Sequence, residues 1–108
     1  MDKVNTRDTQ ANALASLGLA KLSKQQQAIF DVVLGMQRNG AVDASLSEIQ
    51  ARYEFLHGQR IDLGRVSARV SEMVGSRLHR RSDTRPCAIT KKPIHPVYIP
   101  EGQGRLFA

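Results

Sequence analysis

DLGRVSARVSEMVGSRLHRR, residues 62–81, is the stretch that decides the fold. Its apolar residues recur every three or four positions, which predicts a single buried stripe on an amphipathic helix. Gly75 and Ser76 predict the end of that helix, and the arginine-rich segment after them predicts a short strand. The stripe consists of Leu63, Val66, Val70, Met73 and Val74.

The opposite face of this helix combines small side chains with arginines, so it can approach a flat anionic surface closely. Because such a helix fits the groove of a nucleic acid, we predict that it enters one. Gly64, Arg65, Ala68 and Glu72 lie on this face, with Arg69 and Ser71 on its flanks.

The net charge of +6 is concentrated around the same helix. Residues 59–92 contain nine basic and three acidic side chains, whereas the rest of the chain contains seven of each. Localised positive charge is the usual signature of a nucleic-acid surface. The alternative is a solvated basic face that aids solubility and binds nothing.

Two capping signals predict two helices before the central stretch. Ser23 with Gln26 begins a helix over about residues 24–38, which Asn39 and Gly40 end. The second signal begins at residue 45, and the predicted buried face of its helix consists of Leu46, Ile49, Tyr53 and Leu56. This helix ends near residues 57–58, and Asp62 can cap the third helix.

Three short strands are predicted after the third helix, at residues 77–81, 87–90 and 97–99. Turns at 82–86 and 91–96 separate them, and the prolines are expected at turns and strand ends. The predicted fold is therefore mainly α with a small antiparallel β-sheet.

Two terminal segments flank the predicted domain, which covers residues 23–100. Residues 1–22 predict an N-terminal arm or a short helix that packs on the domain or on a second copy of it. Residues 101–108, EGQGRLFA, contain two glycines and no periodicity, which predicts a flexible tail.

The predicted order of elements is helix, helix, turn, helix and then a basic sheet. This order resembles the winged helix-turn-helix family of DNA-binding domains. SLSEIQARY is similar to the family's supporting helix, and RVSARVSEMVGSRLHRR to its recognition helix and first wing strand. The link HGQRI is longer than the usual turn of the motif. The resemblance implies that the third helix enters the major groove and that the wing contacts the backbone or the minor groove.

Candidate DNA-binding residues fall into two groups. On the third helix, Arg65 and Arg69 suit bidentate bonds to guanine, Ala68 suits a thymine methyl, and Ser67 and Ser71 suit a phosphate or a base edge. The second group suits phosphates, which give affinity without sequence discrimination. It consists of Arg60, Arg77, Arg80, Arg81, Arg85, Lys91 and Lys92.

The tail QGRLF resembles the pentapeptide by which bacterial replication and repair proteins dock on the sliding clamp. Gln103, Leu106 and Phe107 match that motif, whereas Gly104 replaces its frequent aliphatic residue. The resemblance implies a protein partner for the tail. Alternatively, Leu106 and Phe107 pack on this domain or across a dimer.

No catalytic, metal-binding or cofactor-binding motif is found in the sequence, and no apolar run reaches membrane-spanning length. A single cysteine, Cys87, leaves no internal disulfide and suits a reducing cytoplasm. We therefore expect a cytoplasmic, nucleoid-associated regulator, such as a phage or plasmid repressor, that binds double-stranded DNA as a homodimer. The second expectation is a protein-interaction module that docks on replication machinery. The bound site, and the choice between DNA and structured RNA, stay open.

Overall fold

The computed structural model of the chain describes residues 22–100. The predicted arm, apart from Leu22, and the predicted tail with Gln103, Leu106 and Phe107 lie outside the described residues. Within residues 22–100, three helices, α1 (Lys24–Arg38), α2 (Leu46–His57) and α3 (Leu63–Met73), precede four two-residue strands. These are β1 (His79–Arg80), β2 (Arg85–Pro86), β3 (Pro93–Ile94) and β4 (Val97–Tyr98). The predicted class, mainly α with a small antiparallel β component, is confirmed.

Both predicted capping boxes are present and fix the starts of α1 and α2. Ser23 Oγ accepts a bond of 3.1 Å from the backbone N–H of Gln26, whose side chain accepts one of 2.9 Å in return. Ser45 and Glu48 repeat the pattern with bonds of 3.1 and 3.0 Å. Each box satisfies two amide groups that a helix start otherwise leaves without partners.

The core lies where the three helices meet and where the strands cover them. Along α3 the buried residues are Val66, Val70 and Met73, which confirms the centre of the predicted stripe. Leu63 at the start of α3 is exposed, and so is Leu56 in the last turn of α2, contrary to the predictions. Both lie near helix ends, outside the region where the three helices converge.

The long link between α2 and α3 is fixed to α2 through both backbone polar groups of one residue, Ile61. Ile61 is buried, its N–H donates to Glu54 Oε2 at 3.0 Å, and its carbonyl accepts from Gln50 Nε2 at 2.8 Å. The extra residues therefore form an anchored connection between the two helices.

Strand β4 lies between two other backbone segments. It pairs antiparallel with β1, so that Arg80 is opposite Val97, and Val97 also forms an antiparallel bridge to Ala44. Two bonds of 2.9 Å join Ala44 and Val97. The segment between α1 and α2 thus contributes an edge to the sheet.

The predicted strand at residues 87–90 is wrong, because this segment is the tip of a hairpin formed by β2 and β3. The N–H of Lys91 donates to the Cys87 carbonyl, the N–H of Cys87 donates to the Lys92 carbonyl, and Lys91 has a φ of 66°. Pro86 is the last residue of β2 and Pro93 the first of β3, so both lie at strand ends, as predicted, and opposite each other. Since opposed pairs alternate between bonded and non-bonded positions, the prolines occupy a pair that needs no N–H.

None of the helices described between residues 22 and 100 has the length and apolarity needed to cross a membrane.

Candidate nucleic-acid interface

The exposed face of α3 is small and polar. Asp62 caps the helix by accepting a bond of 2.9 Å from the N–H of Arg65. Gly64, Arg65 and Ser71 are exposed, and Ser67 and Ala68 are half-buried. The Arg65 guanidinium lies 3.7 Å from the Asp62 carboxylate, and both side chains are well solvated. A solvated pair of this kind contributes little, so Arg65 is available to a ligand.

Arg69, in contrast, faces α1. Its guanidinium donates to Gln25 Oε1 at 3.1 Å and to Glu72 Oε2 at 2.8 Å, and Glu72 also accepts a bond from Gln26. The bonds from Gln26 and Arg69 hold the pKa of Glu72 below its usual value. In this arrangement Arg69 connects α3 to α1, unlike Arg65.

Two of the arginines assigned to phosphate contact in the sequence have carboxylate partners inside the domain. Arg81 Nε lies 2.6 Å from Asp43 Oδ2, and its guanidinium covers the ring of Tyr98. Arg85 binds Asp43 at 2.7 Å and Glu48 through two bonds of 2.7 and 3.0 Å. The buried Asp43 thus neutralises much of the charge on this part of the sheet.

Glu48 connects the start of α2 to the hairpin. Besides capping α2 and binding Arg85, it accepts a bond of 2.8 Å from the N–H of Ala88. These hydrogen bonds, that of Arg85 above all, outweigh the effect of burial and lower the pKa of Glu48 to about 2. The carboxylate is therefore ionised at any physiological pH.

Cys87 occupies the same junction. Its Sγ lies 3.0 Å from Ser45 Oγ, and the N–H groups of Ile89 and Thr90 donate to it. Burial raises the pKa of the Cys87 thiol, but these hydrogen bonds outweigh burial and bring the pKa to about 7. Two histidines of the sheet region have other contacts: His79 packs edge-on against Tyr98, and His95 Nδ1 lies 3.2 Å from the Arg81 carbonyl oxygen.

Arg77 is only 5% exposed, which differs from the solvated strand position predicted for it. It lies in the tight turn after α3, where its N–H donates to the Met73 carbonyl at 2.8 Å. Such a side chain offers little surface to a phosphate.

The remaining basic candidates are exposed. Lys91 donates to the Ala88 carbonyl at 2.8 Å, whereas Arg80 and Lys92 have no carboxylate partner among residues 22–100. Once the paired and buried arginines are set aside, five of the predicted cations remain. They are Arg60, Arg65, Arg80, Lys91 and Lys92.

A groove of about 430 Å³ brings parts of this set together. Leu63 from α3, Arg80 from β1 and Lys92 from the hairpin tip line the same groove. Ser47 from the first turn of α2 and His95 also line it, and the sequence did not single them out. The capping box indicated where α2 begins, but no local signal indicated that the hairpin folds against that helix end.

No protein-family model, no curated protein and no solved structure matches the chain.

Proposed function

We propose that this chain is a winged helix-turn-helix protein that binds double-stranded DNA and regulates transcription without catalysis. The observation that carries the proposal is the groove in which the start of α3, Arg80 of β1 and Lys92 of the hairpin meet. A helix and a basic hairpin at one groove can contact a DNA groove and its backbone together.

The order of the backbone segments supports this architecture. A single bridging residue before α2, Ala44, pairs with the last strand, β4, which in turn pairs with the strand that follows α3. The basic hairpin, formed by β2 and β3, is the segment of chain between β1 and β4. The winged helix-turn-helix family, which the sequence resembles, has the same succession of three helices, a small sheet and a wing.

The residues assigned to the two groups of DNA contacts differ from those expected on sequence alone. Base reading is assigned to Arg65 and Ser71 on the exposed face of α3, where Gly64 lets the backbone come close. Phosphate contacts are assigned to Arg60, Arg80, Lys91 and Lys92, because these cations are exposed. Such contacts supply affinity and orientation, and the α3 contacts supply sequence preference.

The reduced set of cations changes the expected dependence on salt. If the four cations assigned to phosphates released counterions, log K would fall against log [salt] with a slope of about −3.6. Fluorescence anisotropy with a random DNA duplex at several salt concentrations measures this slope. Weak binding that does not respond to salt would rule the proposal out.

Selection of bound sites from a random DNA pool then tests sequence reading and symmetry together. A homodimer should enrich a palindrome whose half-sites lie about one helical turn apart. An A-form RNA duplex should compete poorly, because its deep, narrow major groove does not admit a helix. RNA that competes as well as DNA would redirect the proposal to RNA.

A further inference from the structure

A second groove, of about 530 Å³, lies between the start of α1 and the end of α2. Its apolar lining comes from Leu22, Ala28, Val32 and Leu56, and Leu56 is 55% exposed. Polar groups of Lys24, Asp31 and His57 also line it. The groove is distinct from the one assigned to DNA, with which it shares no residue.

The segment that precedes Leu22 in the sequence has a matching composition. Leu22, the first described residue, is itself part of the lining. The ten residues 11–20, ANALASLGLA, contain no charged side chain, and seven of them are Ala or Leu. Charged residues bound this run on both sides, at Asp8 and Lys21.

We propose that residues 11–21 bind in this groove of the same chain and cover Leu56. Removing leucine and alanine side chains from water favours the bound state. A short covalent tether raises the effective concentration of the segment to the millimolar range, far above that of a second copy in solution.

The reach of the segment allows this contact. Leu19 is three residues before Leu22 and Leu14 is eight, so they lie within about 10 and 26 Å of it along an extended chain. The part of α1 that lines the groove, from Lys24 to Asp31, is about 10 Å long. The leucines of the segment therefore span the whole groove.

The opposite terminus starts much farther away. Ile99 donates to Gln37 Oε1 at 2.6 Å and accepts from Gln37 Nε2 at 3.3 Å, which fixes the end of β4 at the far end of α1. That position is about 20 Å along the helix from Lys24 and about 8 Å from Val32, at the near end of the groove. The apolar residues of the tail would therefore reach the near end of the groove, but they would have to run almost fully extended to reach Lys24 at its far end.

Thiol labelling of the full chain tests the contact directly. Leu56→Cys places a reactive group in the groove, and mass analysis of its peptide separates it from Cys87. Val42→Cys, at a position that is 71% exposed and outside the groove, is the matched control. Both are compared in the parent chain and in a chain with Leu14, Leu17 and Leu19 all changed to Asp.

If the segment occupies the groove about 90% of the time, labelling at position 56 is about tenfold slower in the parent than in the triple-Asp chain. The rate should not depend on protein concentration, and position 42 should label equally in both backgrounds. His57→Cys is the second probe if thermal melting shows that Leu56→Cys disturbs the fold.

Three results would overturn the proposal. Equal labelling at position 56 in both backgrounds would mean that the segment does not cover the groove. Protection that grows with concentration, together with a doubled mass in sedimentation, would assign the groove to a second copy. Protection lost on deletion of residues 101–108 would assign it to the tail.

Discussion

Arg80 and Arg85 look equivalent in the sequence, and the structure predicts opposite consequences of replacing them by glutamine. Arg80 is exposed and has no carboxylate partner within residues 22–100, whereas Arg85 joins Asp43 and Glu48. We expect Arg85→Gln to lower stability strongly, and Arg80→Gln to weaken DNA binding with little change in stability.

The size of the stability effect follows from Glu48. Its side chain is 12% exposed, and its pKa falls from 4.5 to about 2 in the folded chain. A shift of that size corresponds to about 3 kcal/mol of stabilisation of the ionised form. Backbone N–H groups supply part of it and Arg85 is partly solvated, so we assign about 2 kcal/mol to the arginine. For a domain of this size, this is a fall of about 8–16 °C in Tm.

The DNA effect of Arg80→Gln is a change in salt dependence. Losing one phosphate contact should reduce the magnitude of the log–log slope by about 0.9. Its Tm should stay close to that of the parent, because exposed substitutions usually change stability by less than about 0.5 kcal/mol. Calorimetry measures Tm, and anisotropy well below the Tm of each variant measures the slope.

Glu48→Gln combined with Arg85→Gln is the control for the ion pair. Since either single change already removes the contact between Glu48 and Arg85, the double variant should be more stable than the sum of the single losses predicts. The reasoning is refuted if Arg85→Gln keeps the parent Tm and loses DNA affinity as Arg80→Gln does. In that case Arg85 would be a phosphate contact and its carboxylate bonds would contribute little.

Three further predictions concern stability against pH, the two helix arginines and one turn. The pKa of Glu48 in the folded chain lies below its ordinary value, so its contribution to folding stability is complete above about pH 4.5 and is lost as the pH falls towards 2. In Glu48→Gln, Tm measured against pH should therefore fall less steeply on the acid side than in the parent. Arg65→Ala should weaken sequence preference in site selection at unchanged Tm, whereas Arg69→Ala should lower Tm, since it removes the bonds to α1; the reverse pattern would contradict the geometry. Gly75→Ala should lower the free energy of unfolding, measured in urea, by about 1–2 kcal/mol, because Gly75 has a φ of 96°. Gly35→Ala inside α1 should leave that free energy unchanged or raise it by up to about 1 kcal/mol, because an added Cβ there meets no atom within 4 Å.

The helices could be predicted because their signals are local. Ser23 and Gln26 are three residues apart, as are Ser45 and Glu48, so each capping box was readable from the sequence. The stripe on α3 was readable for the same reason. Leu63 and Leu56 were misjudged because periodicity identifies a face of a helix but not how far along the helix the core extends.

The hairpin could not be predicted because its register depends on distant partners. Alternation and turn residues favoured a strand at 87–90, yet the N–H of Ala88 bonds to Glu48, forty residues earlier. That bond and the bidentate contact of Arg85 hold the hairpin base and tip on α2. The two prolines lie at strand ends, as the sequence predicted, but no local signal indicated that they face each other across the hairpin.

The distribution of charge shows why a basic segment is not the same as a basic surface. Residues 59–92 carry the whole net charge of the sequence, but Asp43 and Glu48 come from outside that segment and neutralise Arg81 and Arg85 within it. The same carboxylates fix the hairpin that presents Lys92, and Asp43 holds Arg81, the residue after Arg80. The arginines with internal partners therefore set the position of the exposed cations, and the exposed cations supply the affinity that we propose for DNA. A loss of binding in a variant of Arg81 or Arg85 would accordingly report a displaced hairpin, and only its stability would distinguish that from a lost phosphate contact.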